Sequence, residues 1–149
     1  MNPHHRLKVI GLALLSIVVL CLDVAAATKA GPKGGRLLEA APNPAEFFVT
    51  PEQRIEIVFY DSAMQPIAPT HQVVGVTAEA PGGRTALDVE RTAQGYVTTA
   101  PVPAGAPYRV VVQIRAAPGE KPQNFRVDLN MTTCGECSHA EYACTCEGH

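Results

Sequence analysis

The run Arg54-Ile55-Glu56-Ile57-Val58-Phe59-Tyr60 decides the fold class. In an extended chain Ile55, Ile57 and Phe59 fall on one face and Arg54, Glu56 and Val58 on the other, because successive side chains of a strand point to opposite sides. Working outward, Phe125, Val127 and Leu129 alternate in the same way with Arg126, Asp128 and Asn130. Arg109-Val110-Val111-Val112-Gln113-Ile114-Arg115 reads as a more buried strand with charged ends. Further short runs of β type fall at 36–40, 45–50, 72–79, 85–90 and 95–99. The strands around the three runs above extend over 54–60, 108–116 and 124–130. Turn-forming residues separate them: Asn43-Pro44, Thr50-Pro51, Pro81-Gly82-Gly83, and the stretches 61–69, 93–95, 101–107 and 118–122. Seven to eight strands without an amphipathic helix predict an all-β chain, an antiparallel immunoglobulin-like β-sandwich, with an up-and-down barrel as the alternative.

Composition agrees with a folded body. Of 149 residues 46% are hydrophobic and 17% charged, so the chain has the apolar content for a core. Twelve Gly and thirteen Pro suit many short strands joined by turns. The formal charge is −2, and no basic patch matches a nucleic-acid backbone. With no Trp and 5% aromatic residues, readers of bases or sugars that work by stacking are disfavoured.

The amino terminus carries Arg6 and Lys8, then an uncharged stretch at 9–22, then Asp23-Val24-Ala25-Ala26-Ala27. That order is the pattern of a secretory signal with an A-x-A site, cleaved before Thr28. Fourteen residues of helix span only about 21 Å, short of the ~30 Å hydrocarbon layer, so no membrane span is expected after cleavage. Cys21 follows Leu20 rather than a small residue and belongs with the leader. Arg6, Lys8 and Asp23 leave with it, which makes the mature balance ten basic against thirteen acidic residues, or −3. The expected organisation is a signal at 1–27, a flexible segment at 28–34, the β domain at 35–131 and a flexible Cys/His-rich tail at 132–149. The expected location is the periplasm or the extracellular medium.

The β domain carries no catalytic motif: no G-x-S-x-G, no phosphate-cradling glycine loop and no H-E-x-x-H. His71 is its one histidine and reads as a solvent-facing loop residue. Glu46, Glu56, Asp88 and Glu90 stand singly on strand faces and read as solvated. A non-enzymatic role is expected.

Chemistry concentrates in the last sixteen residues. They hold Cys134, Cys137, Cys144 and Cys146, together with His139 and His149, three glutamates, and no Lys or Arg. In Cys134-x-x-Cys137 two thiolates on one turn can grip a single ion, and Cys144-x-Cys146 offers a second pair. The two pairs can converge on a tetrahedral site of four sulfurs, or of three sulfurs and a nitrogen from His139 or His149. Thiolates suit Zn(II) and Cu(I) alike. The six residues between the pairs are fewer than in a zinc ribbon. An exported chain with four thiols also has a disulfide reading, in which crossed bridges join Cys134 and Cys137 to Cys144 and Cys146. Thiol exchange is a third reading, and no neighbouring cation or helix start is visible to support it. Met131 reads either as an added thioether ligand or as the last packed residue after Leu129. Asn130-Met131-Thr132 matches a glycosylation sequon.

Gly31-Pro32-Lys33-Gly34-Gly35-Arg36-Leu37-Leu38-Glu39, followed by Ala45-Glu46-Phe47-Phe48-Val49, resembles small exported bacterial β-sandwich domains. In those domains a G-P-H-G-G segment precedes one strand and an H-x-E-like strand comes next. They accompany heavy-metal efflux or copper-handling proteins, and the close Glu141-Tyr142-Ala143-Cys144-Thr145-Cys146-Glu147-x-His149 is similar to tails of their uncharacterised members. Here Lys33 stands in the histidine's place and Ala45 near the second, so a histidine site on the sheets is not carried over. The resemblance implies a metal-associated role and an envelope metal-efflux component as partner. The leading expectation is an exported protein holding Zn(II) or Cu(I) on C-terminal thiolates for buffering, resistance or delivery. The alternative is a structural or adaptor module with a disulfide-stapled tail.

Overall fold

Val49 and Ile55 face each other across a tight turn in which the Thr50 N–H donates to the Arg54 carbonyl at 2.8 Å and Gln53 takes a positive φ of 61°. From this hairpin the rest of the architecture spreads. A computed structural model describes residues 28–146; the expected signal at 1–27 and the candidate ligand His149 lie outside the described residues. Ten strands are formed among them: β1 (Arg36–Leu38), β2 (Ala45–Val49), β3 (Ile55–Tyr60), β4 (Pro66–Ile67), β5 (Val73–Ala80), β6 (Gly83–Leu87), β7 (Val89–Arg91), β8 (Gly95–Thr98), β9 (Tyr108–Arg115) and β10 (Gln123–Leu129). A 3-10 turn, Glu141–Ala143, follows. All pairings are antiparallel, as the alternating runs predict.

The strands make two sheets. One runs β1-β2-β3-β8-β7, with β4 also paired to β3; the other runs β10-β9-β5-β6. A single apolar cluster draws on both, with Phe47, Ile55, Ile57 and Phe59 from the first sheet and Val76, Val110, Val112, Ile114, Val127 and Leu129 from the second. No helix of the described residues is long and apolar enough to cross a membrane.

Two details differ from the sequence expectation of seven to eight strands. The 85–90 run breaks at Asp88 into β6 and β7, which belong to different sheets. Leu87 and Val89 each reach the core from their own sheet, so the exposed Asp88 between them marks where the chain crosses over. Within the 61–69 stretch, the Asp61 Oδ1 accepts the N–H groups of Ala63 and Gln65 at 2.9 Å each. This turn returns Pro66–Ile67 alongside β3, at a sheet margin where the missing N–H of proline costs no ladder bond.

Both flanking segments are held to the sheets, contrary to the flexibility expected of 28–34 and of the tail. The Leu37 N–H donates to the Lys29 carbonyl at 2.7 Å, and residues 31–35 close a turn through Gly31 N–H to Gly35 carbonyl at 2.9 Å. At the other end, Tyr142 N–H donates to the Asn130 carbonyl at 3.1 Å and Glu141 N–H to the Thr132 carbonyl at 2.8 Å. Tyr142 and Ala143 join the core cluster, and the 3-10 turn lies against β1 and β10. An apolar tyrosine within the cysteine-rich segment gives it a site to dock, which charge and cysteine spacing alone do not reveal.

Candidate metal centre

The segment 132–146 folds back on itself before it docks. Thr133 and Ala140 form an isolated antiparallel bridge, the Cys134 N–H donates to the His139 carbonyl at 2.7 Å, and the Ser138 N–H donates to the Cys134 carbonyl at 3.2 Å. Ser138 takes a positive φ of 63° to close this loop. The loop brings Cys137 back toward Cys134. The 3-10 turn, anchored by Tyr142 in the core, then carries Cys144 and Cys146 over the same point. Tyr142 is fixed on both sides: its ring meets Phe47 edge-on at 5.4 Å and 76°, and its hydroxyl oxygen accepts the Val49 N–H at 3.1 Å.

As a result the four thiol sulfurs of Cys134, Cys137, Cys144 and Cys146 all lie within 4.8 Å of one another. Individual separations are 3.3 Å for Cys134 to Cys144, 3.7 Å for Cys137 to Cys144 and 3.8 Å for Cys134 to Cys146. Cys134 and Cys144 are buried at the base of the cluster, whereas Cys137 and Cys146 are partly exposed. The four sulfurs together could hold a metal ion. Sulfurs bonded to one tetrahedral ion at about 2.3 Å lie about 3.8 Å apart. The observed spacing is therefore close to that of a loaded site.

Backbone amides supply the electrostatics that absent cations do not. The amides of Cys137 and then Glu136 are directed at the Cys134 sulfur and hold its thiol below the ordinary cysteine range. The amides of His139 and Thr145 do the same for Cys137 and bring it down to about 7. The Cys146 amide donates to the Cys144 sulfur at 3.4 Å, yet burial and the adjoining Cys134 thiol outweigh it and push Cys144 upward. Cys146 is raised by the Cys144 side chain first and by burial second. Four thiols this close cannot all ionise without a cation between them.

The other candidates fall elsewhere. The His139 imidazole lies beside Gly34, where a methyl group would sit 3.4 Å from Nδ1, and it is not part of the four-sulfur group. Its contribution is through its backbone, whose carbonyl and amide serve Cys134 and Cys137. Met131 is half-buried and packs against the core, in line with its reading as the last packed residue after Leu129, and His71 is exposed on its loop. Glu90 pairs with Arg54 at 2.9 Å, Glu56 pairs with Lys33, and Asp88 is exposed.

Glu46 is a correction to the solvated reading of the strand carboxylates: it is fully buried. Its Oε1 accepts the Gly35 N–H at 2.7 Å and the Lys33 N–H at 3.0 Å, and its Oε2 accepts the Tyr60 hydroxyl at 2.6 Å. The glycines of the 31–35 segment are the signal in the sequence, since a turn with three of them can approach a strand closely enough to cover a carboxylate. Searches against family models, curated proteins and solved structures give no match to this chain.

Proposed function

We propose that this protein is an exported metal-binding protein of the cell envelope, holding one soft or borderline cation on the thiolates of Cys134, Cys137, Cys144 and Cys146. The observation that carries the reading is the gathering of four sulfurs within 4.8 Å of one another, three of the pairs at 3.3–3.8 Å, on a segment docked to the core. An all-sulfur tetrahedral set favours Zn(II), and thiolates also accept Cu(I). Amide donors around the sulfurs offset the negative charge of four thiolates, the usual office of groups beyond the ligands themselves. The basic start, short apolar stretch and A-x-A site support export. The two sheets with one shared core support an immunoglobulin-like sandwich as the scaffold. The role is binding rather than catalysis: buffering, resistance or delivery, in company with an envelope metal-efflux component.

A titration tests it. Reduced protein from which residues 1–27 have been removed should bind one Zn(II) tightly and hide its four thiols from a thiol reagent. Changing Cys134→Ser together with Cys137→Ser should abolish both effects. Protein taken directly from the envelope with no free thiol and no bound ion would instead support the disulfide-stapled adaptor.

A further inference from the structure

A buried carboxylate lies beneath the 31–35 turn, which His139 of the thiolate segment adjoins. Glu46 lies on the face of β2 covered by residues 31–35, and every hydrogen bond it accepts holds that turn or the strand beneath it. Lys33 N–H reaches both oxygens, at 3.0 and 3.1 Å, Gly35 N–H reaches Oε1, and the Tyr60 hydroxyl on β3 reaches Oε2. The approach is so close that any side chain at Gly31 would run into the carboxylate. Between the two anchored amides stands Gly34, whose φ of 83° is a conformation that residues with a Cβ rarely adopt. The His139 ring lies beside Gly34, with Nδ1 3.4 Å from where a Cβ would stand. The same residue's carbonyl accepts the Cys134 N–H at 2.7 Å, and its amide is directed at the Cys137 sulfur.

We propose that Glu46 is a positioning residue for the thiolate site, acting through the 31–35 turn and His139 to set the Cys134 to Cys137 loop. This rests on the metal reading given above. The carboxylate fixes Lys33 and Gly35; the fixed turn presents a flat glycine surface; the His139 ring packs on that surface; and the His139 backbone holds the first cysteine pair in register with the second. The second pair is anchored by Tyr142 in the core, and the first follows β10 through Met131, which packs against the same core. The amino-terminal turn gives the first pair a further support, on the side where Glu46 is buried.

The test uses the full mature chain, reduced, with Co(II) and Zn(II) as probes. Glu46→Ala should weaken Zn(II) binding by about 10- to 100-fold, the range for residues that orient metal ligands, and shift the Co(II) d–d bands. Glu46→Gln keeps one acceptor for the amides and should recover most of the affinity. His139→Ala keeps the backbone but removes the seat, so it should also weaken binding while the sulfur-to-Co(II) charge-transfer intensity remains that of four thiolates. Metal-free reduced protein gives a second readout, in which Glu46→Ala should speed hydrogen exchange at the Cys134 amide. Affinity, bands and Cys134 exchange all equal to wild type in a variant that is merely less stable would overturn the inference. So would a Glu46→Ala chain too unstable to study, if His139→Ala bound as wild type does. Wild-type protein that binds neither ion would defeat the metal reading instead, and exchange at Cys134 would still decide whether Glu46 holds that loop.

Discussion

Tyr142 joins the thiol segment to the core through one side chain, and its removal should be felt in both. Replacing a buried aromatic ring by a methyl group costs about 3–5 kcal/mol, so Tyr142→Ala should lower the free energy of urea unfolding by that amount. Tyr142→Phe keeps the ring against Phe47 but leaves the buried Val49 N–H without its acceptor, at about 1–3 kcal/mol. An equal loss in both variants would mean that the ring contributes nothing. The buried tyrosines also fix an alkaline limit. Burial, followed by the hydrogen bond to Glu46, raises Tyr60, and burial raises Tyr108 and Tyr142 as well, the last against the bond from Val49. An unfolded tyrosine ionises near pH 10, so above that pH the unfolded chain releases protons the folded chain retains. The tyrosines' contribution is thus complete below about pH 10 and lost as pH rises beyond it. Urea midpoints measured from pH 9 to pH 11 should fall, and Tyr60→Phe should make the fall shallower.

At the scale of elements, the strands were legible wherever one face alone is buried. Ile55, Ile57 and Phe59 show the period plainly, and so do Val127 and Leu129. On the opposite face of β3, Val58 and Tyr60 are buried too, because the adjoining Glu46 lies beneath the amino-terminal turn, and nothing in the local pattern announces that cover. The crossover at Asp88 was hidden for a related reason, since a strand that changes sheets keeps its extended backbone. Of the site, the four cysteines were readable from spacing alone. The place of the His139 ring was not, because it lies beside Gly34, more than a hundred residues away in sequence. The thiol segment should behave as a metal-dependent element. Removing the ion with a chelator should lower, without erasing, hydrogen-exchange protection at the amides of Cys134, Glu141 and Tyr142, while β9 in the centre of its sheet keeps its own. Protection that is unchanged by the chelator would show that the segment folds without help. Loading should also oppose acid. Cys144 and Cys146 hold their protons above the ordinary range, so at least two must leave on binding, and affinity should drop at least about a hundredfold as pH falls from 7 to 6, more as Cys137 takes up its proton.

Across the described residues, two sheets share one apolar core, and the two segments flanking the β domain meet on one side of it. The 31–35 turn and the 132–146 segment touch through Gly34 and His139, so both flanks of the β domain are fastened at the place where the sulfurs gather. Such an arrangement ties metal occupancy to global stability, because an ion that binds only the folded chain stabilises it by mass action. Metal-loaded protein should therefore melt at a higher temperature than the chelated form, and the Cys134→Ser, Cys137→Ser variant should not respond to added Zn(II). X-ray absorption at the metal edge of the loaded, reduced protein addresses the ligand set itself. The account predicts a single shell of four sulfurs at about 2.3 Å from the ion. A shell containing nitrogen, or protein that emerges with its sulfurs already bonded in pairs and no ion held, would contradict it.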